Sequence, residues 1–87
     1  MDIDKVSSMI DELFEPMLNY KRQVVKVKKT EYQIRENRNL GNNESLQSLL
    51  DLELKIDEDS KSISAKILEQ KALEFAAKIR EMEGSKQ

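Results

Sequence analysis

Starting at Ile3 and stepping alternately by three and four, the chain meets Ile3, Val6, Ile10, Leu13, Met17, Tyr20, Val24, Val27, Glu31 and Ile34, with Glu31 the one charged interruption. A strand, whose side chains alternate every two residues, cannot place these positions on one face, whereas a helix can. The spacing therefore predicts a single helix over about residues 3–38. Leu18, Val25 and Tyr32 recur at intervals of seven beside this line, and Phe14 lies between the two. Together they widen the apolar face to roughly 160° at 100° per residue. A face that wide exceeds the seam of a two-stranded coiled coil and implies contact with more than one neighbouring helix, as in a bundle.

Pro16 falls inside this helix and removes one of its backbone hydrogen bonds. The phase of Leu13, Met17 and Tyr20 does not slip across it, so the reading is a helix kinked near Pro16 rather than two independent helices. The first stop signal comes at about 39–43, in Asn39-Leu40-Gly41-Asn42-Asn43. Gly41 can adopt the left-handed conformation that closes a helix, and Asn42 or Asn43 can cap the next, with Glu44 in its first turn. A second helix is expected over about 44–83. Its apolar residues, from Leu46 through Ile56 and from Ile63 through Ile67, Leu68, Phe75 and Ile79, change phase between Ile63 and Leu68, which predicts straight packing rather than a uniform supercoil. The polar stretch 57–62 is read as a solvated part of that helix. Four acidic-to-basic pairs at i, i+4 add local support: Glu31 with Arg35, Asp51 with Lys55, Asp57 with Lys61, and Glu74 with Lys78.

The fold class expected is thus all-α, an antiparallel two-helix hairpin forming one domain over 1–87, resembling a coiled coil and completed to a helical bundle by self-association or by a partner. Charge supports the antiparallel arrangement. Residues 1–19 carry a net charge of −4, 20–43 of +5, 44–62 of −4 and 63–87 of +1, and folding at Gly41 lays the +5 block beside a −4 block. In a chain of 87 residues with no cysteine and no histidine, neither a disulfide nor a zinc site can reinforce a thin core, which leaves association as the available support.

Chemistry is hard to place in this sequence. Without histidine or cysteine, no nucleophile has its usual activating base. The acidic runs Asp11-Glu12, Asp57-Glu58-Asp59 and Glu81 with Glu83 read as solvated faces, and 57–62 lacks the glycine and final glutamate of an EF-hand loop. Two glycines, Gly41 and Gly84, cannot build a phosphate-cradling loop. No catalytic residue, cofactor or metal ligand is assigned. The basic run Lys21, Arg22, Lys26, Lys28, Lys29, with Tyr20 and Tyr32 nearby, has the ingredients of a nucleic-acid patch. Both tyrosines lie on or beside the apolar face, however, and the chain is acidic as a whole, so nucleic acid is the weaker expectation. No stretch approaches the ~20 apolar residues of a membrane span, no cleavable leader is recognised, and a cytoplasmic location is expected, with export lacking a cleaved signal left open.

In length and hairpin shape the chain resembles small helical proteins handled by specialised secretion systems, among them type III needle subunits and their chaperones. Its turn has neither the tryptophan nor the prolines found at the hairpin turns of such families, so no residue role carries over. Phage morphogenesis factors and small subunits of eukaryotic coiled-coil complexes share the same shape.

The function expected is a non-catalytic protein–protein interaction subunit, structural or adaptor in kind, that associates with itself. The alternative is a small helical chaperone, secretion component or inhibitor that takes a helix from a different protein. The interface residues expected are Met17, Leu18, Tyr20, Val24, Val25, Val27, Tyr32 and Ile34 on the first arm, and Ile63, Ile67, Phe75 and Ile79 on the second. Glu31 is read as reaching solvent beside Tyr32.

Overall fold

Asp2 opens the first helix as its N-cap: one carboxylate oxygen accepts the backbone N–H of Asp4 at 3.0 Å and of Lys5 at 3.3 Å, satisfying donors that have no partner within the helix. The structure, a computed structural model, describes residues 2–84. Helix α1 spans Ile3–Asn39 and helix α2 spans Glu44–Gly84. They pack against each other as a hairpin 68 Å long and 17 × 13 Å across. Among the described residues there is no strand.

The turn follows from three residues, Gly41, Asn42 and Asn43. Gly41 has φ +117°, a region in which a Cβ is strained, and Asn42 has φ +54°, which asparagine tolerates better than most residues. With those two angles the chain reverses, and the N–H of Asn42 donates to the carbonyl of Asn37 at 2.8 Å, the long bond of a Schellman ending. Asn43 then caps α2, its side-chain oxygen accepting the N–H of Leu46 at 3.1 Å.

α1 is unbroken through Pro16, and α2 is unbroken through 57–62. The polar stretch stays helical because it also packs: Asp57 and Ser60 are half-buried, and Asp57 accepts a hydrogen bond from α1.

The seam departs from the spacing first read. Side chains of α1 withdrawn from solvent form two lines at seven-residue intervals. One is Val6, Leu13, Tyr20, Val27 and Ile34; the other is Met9, Pro16, Gln23, Thr30 and Asn37. The first is half of the expected stripe. The second replaces the richer apolar line Ile3, Ile10, Met17, Val24 and Glu31, so α1 is rotated by about 50° from the orientation its hydrophobicity alone would select. Facing it, α2 withdraws Gln47, Leu54, Lys61, Leu68, Phe75 and Met82 along one seven-residue line, and beside it first Leu50, Asp57 and Ser64, then Ala76 and Ile79. The first of these lines keeps its phase across the interval Ile63 to Leu68, where a change was expected, and only the second, whose next positions Lys71 and Lys78 are exposed, is displaced beyond Ser64.

The reason for the rotation is polar. Thr30, 2% exposed, donates its hydroxyl to the Asp57 carboxylate at 3.0 Å. Asn37 donates from its amide to the Asn43 carbonyl at 3.1 Å and to the Gln47 side-chain oxygen at 3.2 Å, and accepts the Asn43 N–H at 3.2 Å. Polar groups leave water only when such partners are supplied, so these pairs fix both the rotation of α1 and its register along α2. Among the described residues no buried side-chain polar atom lacks a partner.

Candidate interaction surface

With the seam rotated, much of the chain's apolar surface is left outside. On α1, Ile3, Ile10, Phe14, Met17, Val25 and Tyr32 are exposed, with Phe14 at 64%, Val25 at 56% and Tyr32 at 58%. Leu18 and Val24 beside them are half-buried. These residues form a stripe whose centre lies about 130° round the helix from the middle of the seam. On α2, Leu49, Ile56 and Ile63 follow one another at seven-residue intervals, all more than half exposed, with Leu46, Leu52, Ile67 and Leu73 flanking that line.

The Met17 and Val24 part of the α1 stripe and the Ile63 and Ile67 part of the α2 surface lie on opposite sides of the hairpin, whereas nearer the turn Tyr32 and Leu46 line one hollow together with Glu36 and Leu40. The groove on the Glu31 side of the seam is lined by Tyr20, Val27, Glu58, Ser62 and Ala65, whereas Ile67 lines a groove on the other side with Glu12, Pro16 and Asn19. Met17 and Val24 share the helical line of Glu31, and Ile63 sits next to Ile67 round α2.

The expected interface residues separate accordingly. Val27 and Ile34 are buried within the hairpin, and Tyr20, Phe75 and Ile79 are half-buried along its seam. Met17, Leu18, Val24, Val25 and Tyr32 belong to the outer stripe of α1, and Ile63 and Ile67 to the outer surface of α2. Glu31 is exposed. Phe14, Leu49 and Ile56 are exposed on the outer surface and stand outside the expected set, which held Ile63 alone of the line Leu49, Ile56, Ile63; the seven-residue recurrence in α2 was the signal.

Charge surrounds the stripe without being used inside the hairpin. Lys21, Arg22 and Lys26 border a shallow hollow floored by Leu18 and Val25. Among the described residues, ion pairs within 4 Å join only Lys71 with Glu74 at 3.6 Å and Lys78 with Glu12 at 3.9 Å. None of the four pairs expected at i, i+4 forms. Asp51 accepts from Gln47 at 2.8 Å and Asp57 from Thr30, so the two acids have taken uncharged partners. The +5 and −4 blocks lie alongside each other, yet no ion pair closes between them among the described residues.

Among the described residues no three acidic side chains converge to hold a metal ion, and no helix is long and apolar enough to cross a membrane. Compared with protein-family models, curated proteins and solved structures, the chain matches none.

Proposed function

We propose that this chain is a non-catalytic protein–protein interaction subunit, a structural or adaptor hairpin that associates with further copies of itself through its outer apolar surfaces. The observation that carries the reading is the amount of surface left uncovered. The hairpin exposes 6908 Å², about 1,600 Å² more than the roughly 5,300 Å² expected of a folded monomer of its mass. An excess of that order matches what one subunit gives up on entering a large, permanent interface. It is also apolar in the places that matter, since an exposed stripe of large hydrophobic side chains on a small chain marks an association site.

The test is the mass of the purified chain by sedimentation over a hundredfold range of concentration. Self-association predicts a mass that rises from one to at least two chains across that range. Val25→Asp, which places a charge on the outer stripe, should lower the mass while leaving helical content nearly unchanged. A chain that stays monomeric and fully helical throughout contradicts the proposal.

A further inference from the structure

Along α1 the charges and the apolar residues are arranged about the same point. Residues 1–17 hold five acids and one lysine, a net −4, and residues 18–34 hold five bases and one acid, a net +4. Within the described chain only one of these charges, Glu12, enters an ion pair. The bases Lys21, Arg22, Lys26, Lys28 and Lys29 are all exposed and unpaired among the described residues, as are Asp11 and Glu15.

If α1 is turned end for end about the boundary between Met17 and Leu18, its outer stripe falls on itself. Ile3 comes opposite Tyr32, Ile10 opposite Val25, and Met17 opposite Leu18, while Val24 at the edge of the stripe meets Asp11 and Phe14 meets Lys21, a pairing an aromatic ring and an ammonium group favour. The same rotation lays the −4 half over the +4 half. We propose that the outer stripe of α1 is the contact face of a two-fold antiparallel dimer with a second copy of this chain, the acidic half of each α1 lying along the basic half of the other.

This rests on the self-association proposed above and specifies its geometry. A parallel copy would set −4 against −4 and +4 against +4, which costs energy and slows encounter. A foreign helix would need its own reversed gradient of charge at this length, whereas a second copy carries it by construction. Such an interface is isologous, with each residue contacting the partner of its own pair, the commonest closed symmetry of soluble oligomers. The overlap of residues 3–32 runs about 45 Å at 1.5 Å per residue.

Two variants test the charge pairing. Asp11→Lys with Glu15→Lys brings the acidic half to zero and keeps the basic half at +4; Lys21→Glu with Lys28→Glu does the reverse. Each alone should weaken dimerisation by about tenfold or more, because neither retains a complementary half. Mixed in equal amounts they should restore a heterodimer, in which the +4 half of one variant lies on the −4 half of the other. The geometry is tested separately by cysteine pairs, since the chain contains no cysteine of its own. Ile10→Cys alone should form little disulfide-linked dimer, because its two copies sit about 22 Å apart along the axis. A mixture of Ile10→Cys with Val25→Cys should link readily. Self-linking of Ile10→Cys as fast as linking to Val25→Cys, or failure of the charge variants to rescue one another, overturns the antiparallel dimer even when the wild-type chain self-associates. A wild-type chain that is monomeric at every concentration overturns the assembly proposal as well.

Discussion

The half of the hairpin near the turn and the half near its open end are built differently. Near the turn, Val27, Thr30, Ile34, Asn37 and Leu50 are all buried, and side-chain hydrogen bonds join the helices there, Thr30 to Asp57 and Asn37 to Gln47. Toward the open end Met9 alone among the described residues is buried, its neighbours Val6 and Leu13 are half-exposed, and Glu12 and Lys78 meet across the helices in a long ion pair. Over similar lengths of helix, one half has a closed seam that specifies a register, and the other has apolar side chains without enough partner surface to cover them. The contrast teaches that a helical hairpin can be locally complete at one end and dependent on a neighbour at the other. The contrast is one of the seam and not of the outer faces, since Tyr32, Leu46, Leu49, Leu52 and Ile56 near the turn are exposed as are Ile3, Ile10, Phe14 and Met17 toward the open end.

The comparison breaks first at Ile34. Ile34→Ala should destabilise the hairpin by about 2–4 kcal/mol, since a large buried side chain loses both its transfer energy and its contacts. Met9→Ala should cost about half as much, because half-exposed neighbours can relax into the space. Denaturant melts of the two variants, run at the same low protein concentration, check the ratio, and equal losses would mean the two halves are equally well packed.

Asn37→Ala removes a side chain that makes three hydrogen bonds and should cost about 1–3 kcal/mol. More informative is the pair Thr30→Val with Asp57→Leu. Replacing both partners of a buried polar contact with apolar groups is nearly neutral or stabilising. If Thr30 and Asp57 serve mainly to fix rotation and register, the double variant should keep its melting midpoint while cross-helix cysteine pairs report a loosened alignment. At the open end Lys78→Ala should change stability by less than about 0.5 kcal/mol, as exposed ion pairs generally do.

The existence of two helices, the turn at Gly41 and the antiparallel order were readable from the residues, because a seven-residue apolar recurrence and a lone glycine among asparagines are strong local signals. One seam line, Val6 to Ile34, was readable for the same reason. The other was not. Gln23, Thr30 and Asn37 carry no hydrophobic signal, and Thr30 and Asn37 are held in the seam by Asp57, 27 residues from Thr30, and by Asn43 and Gln47, 6 and 10 residues from Asn37, which supply or accept their hydrogen bonds. A helix-by-helix reading of hydrophobicity cannot register that complementarity, so it turned the most apolar line of α1 inward. The i, i+4 ion pairs failed on related grounds: Asp57 found a better-shielded donor in Thr30, and exposed pairs gain too little to hold two long side chains in place. The candidate interface was readable as a wide apolar face, but the share of it left for a partner depended on the rotation.

The central claim is that the hairpin is self-sufficient near its turn and completed by association along α1. Amide hydrogen exchange along the whole chain, at a dilute and at a concentrated condition, tests it most directly. In the dilute sample the slowest amides should fall within 27–37 and 47–57, and those of 6–20 and 68–82 should exchange fastest among helical residues. On concentration, new protection should appear along 10–25 while the amides near the turn change little. Uniform protection along both halves, the same at both concentrations, would contradict the account.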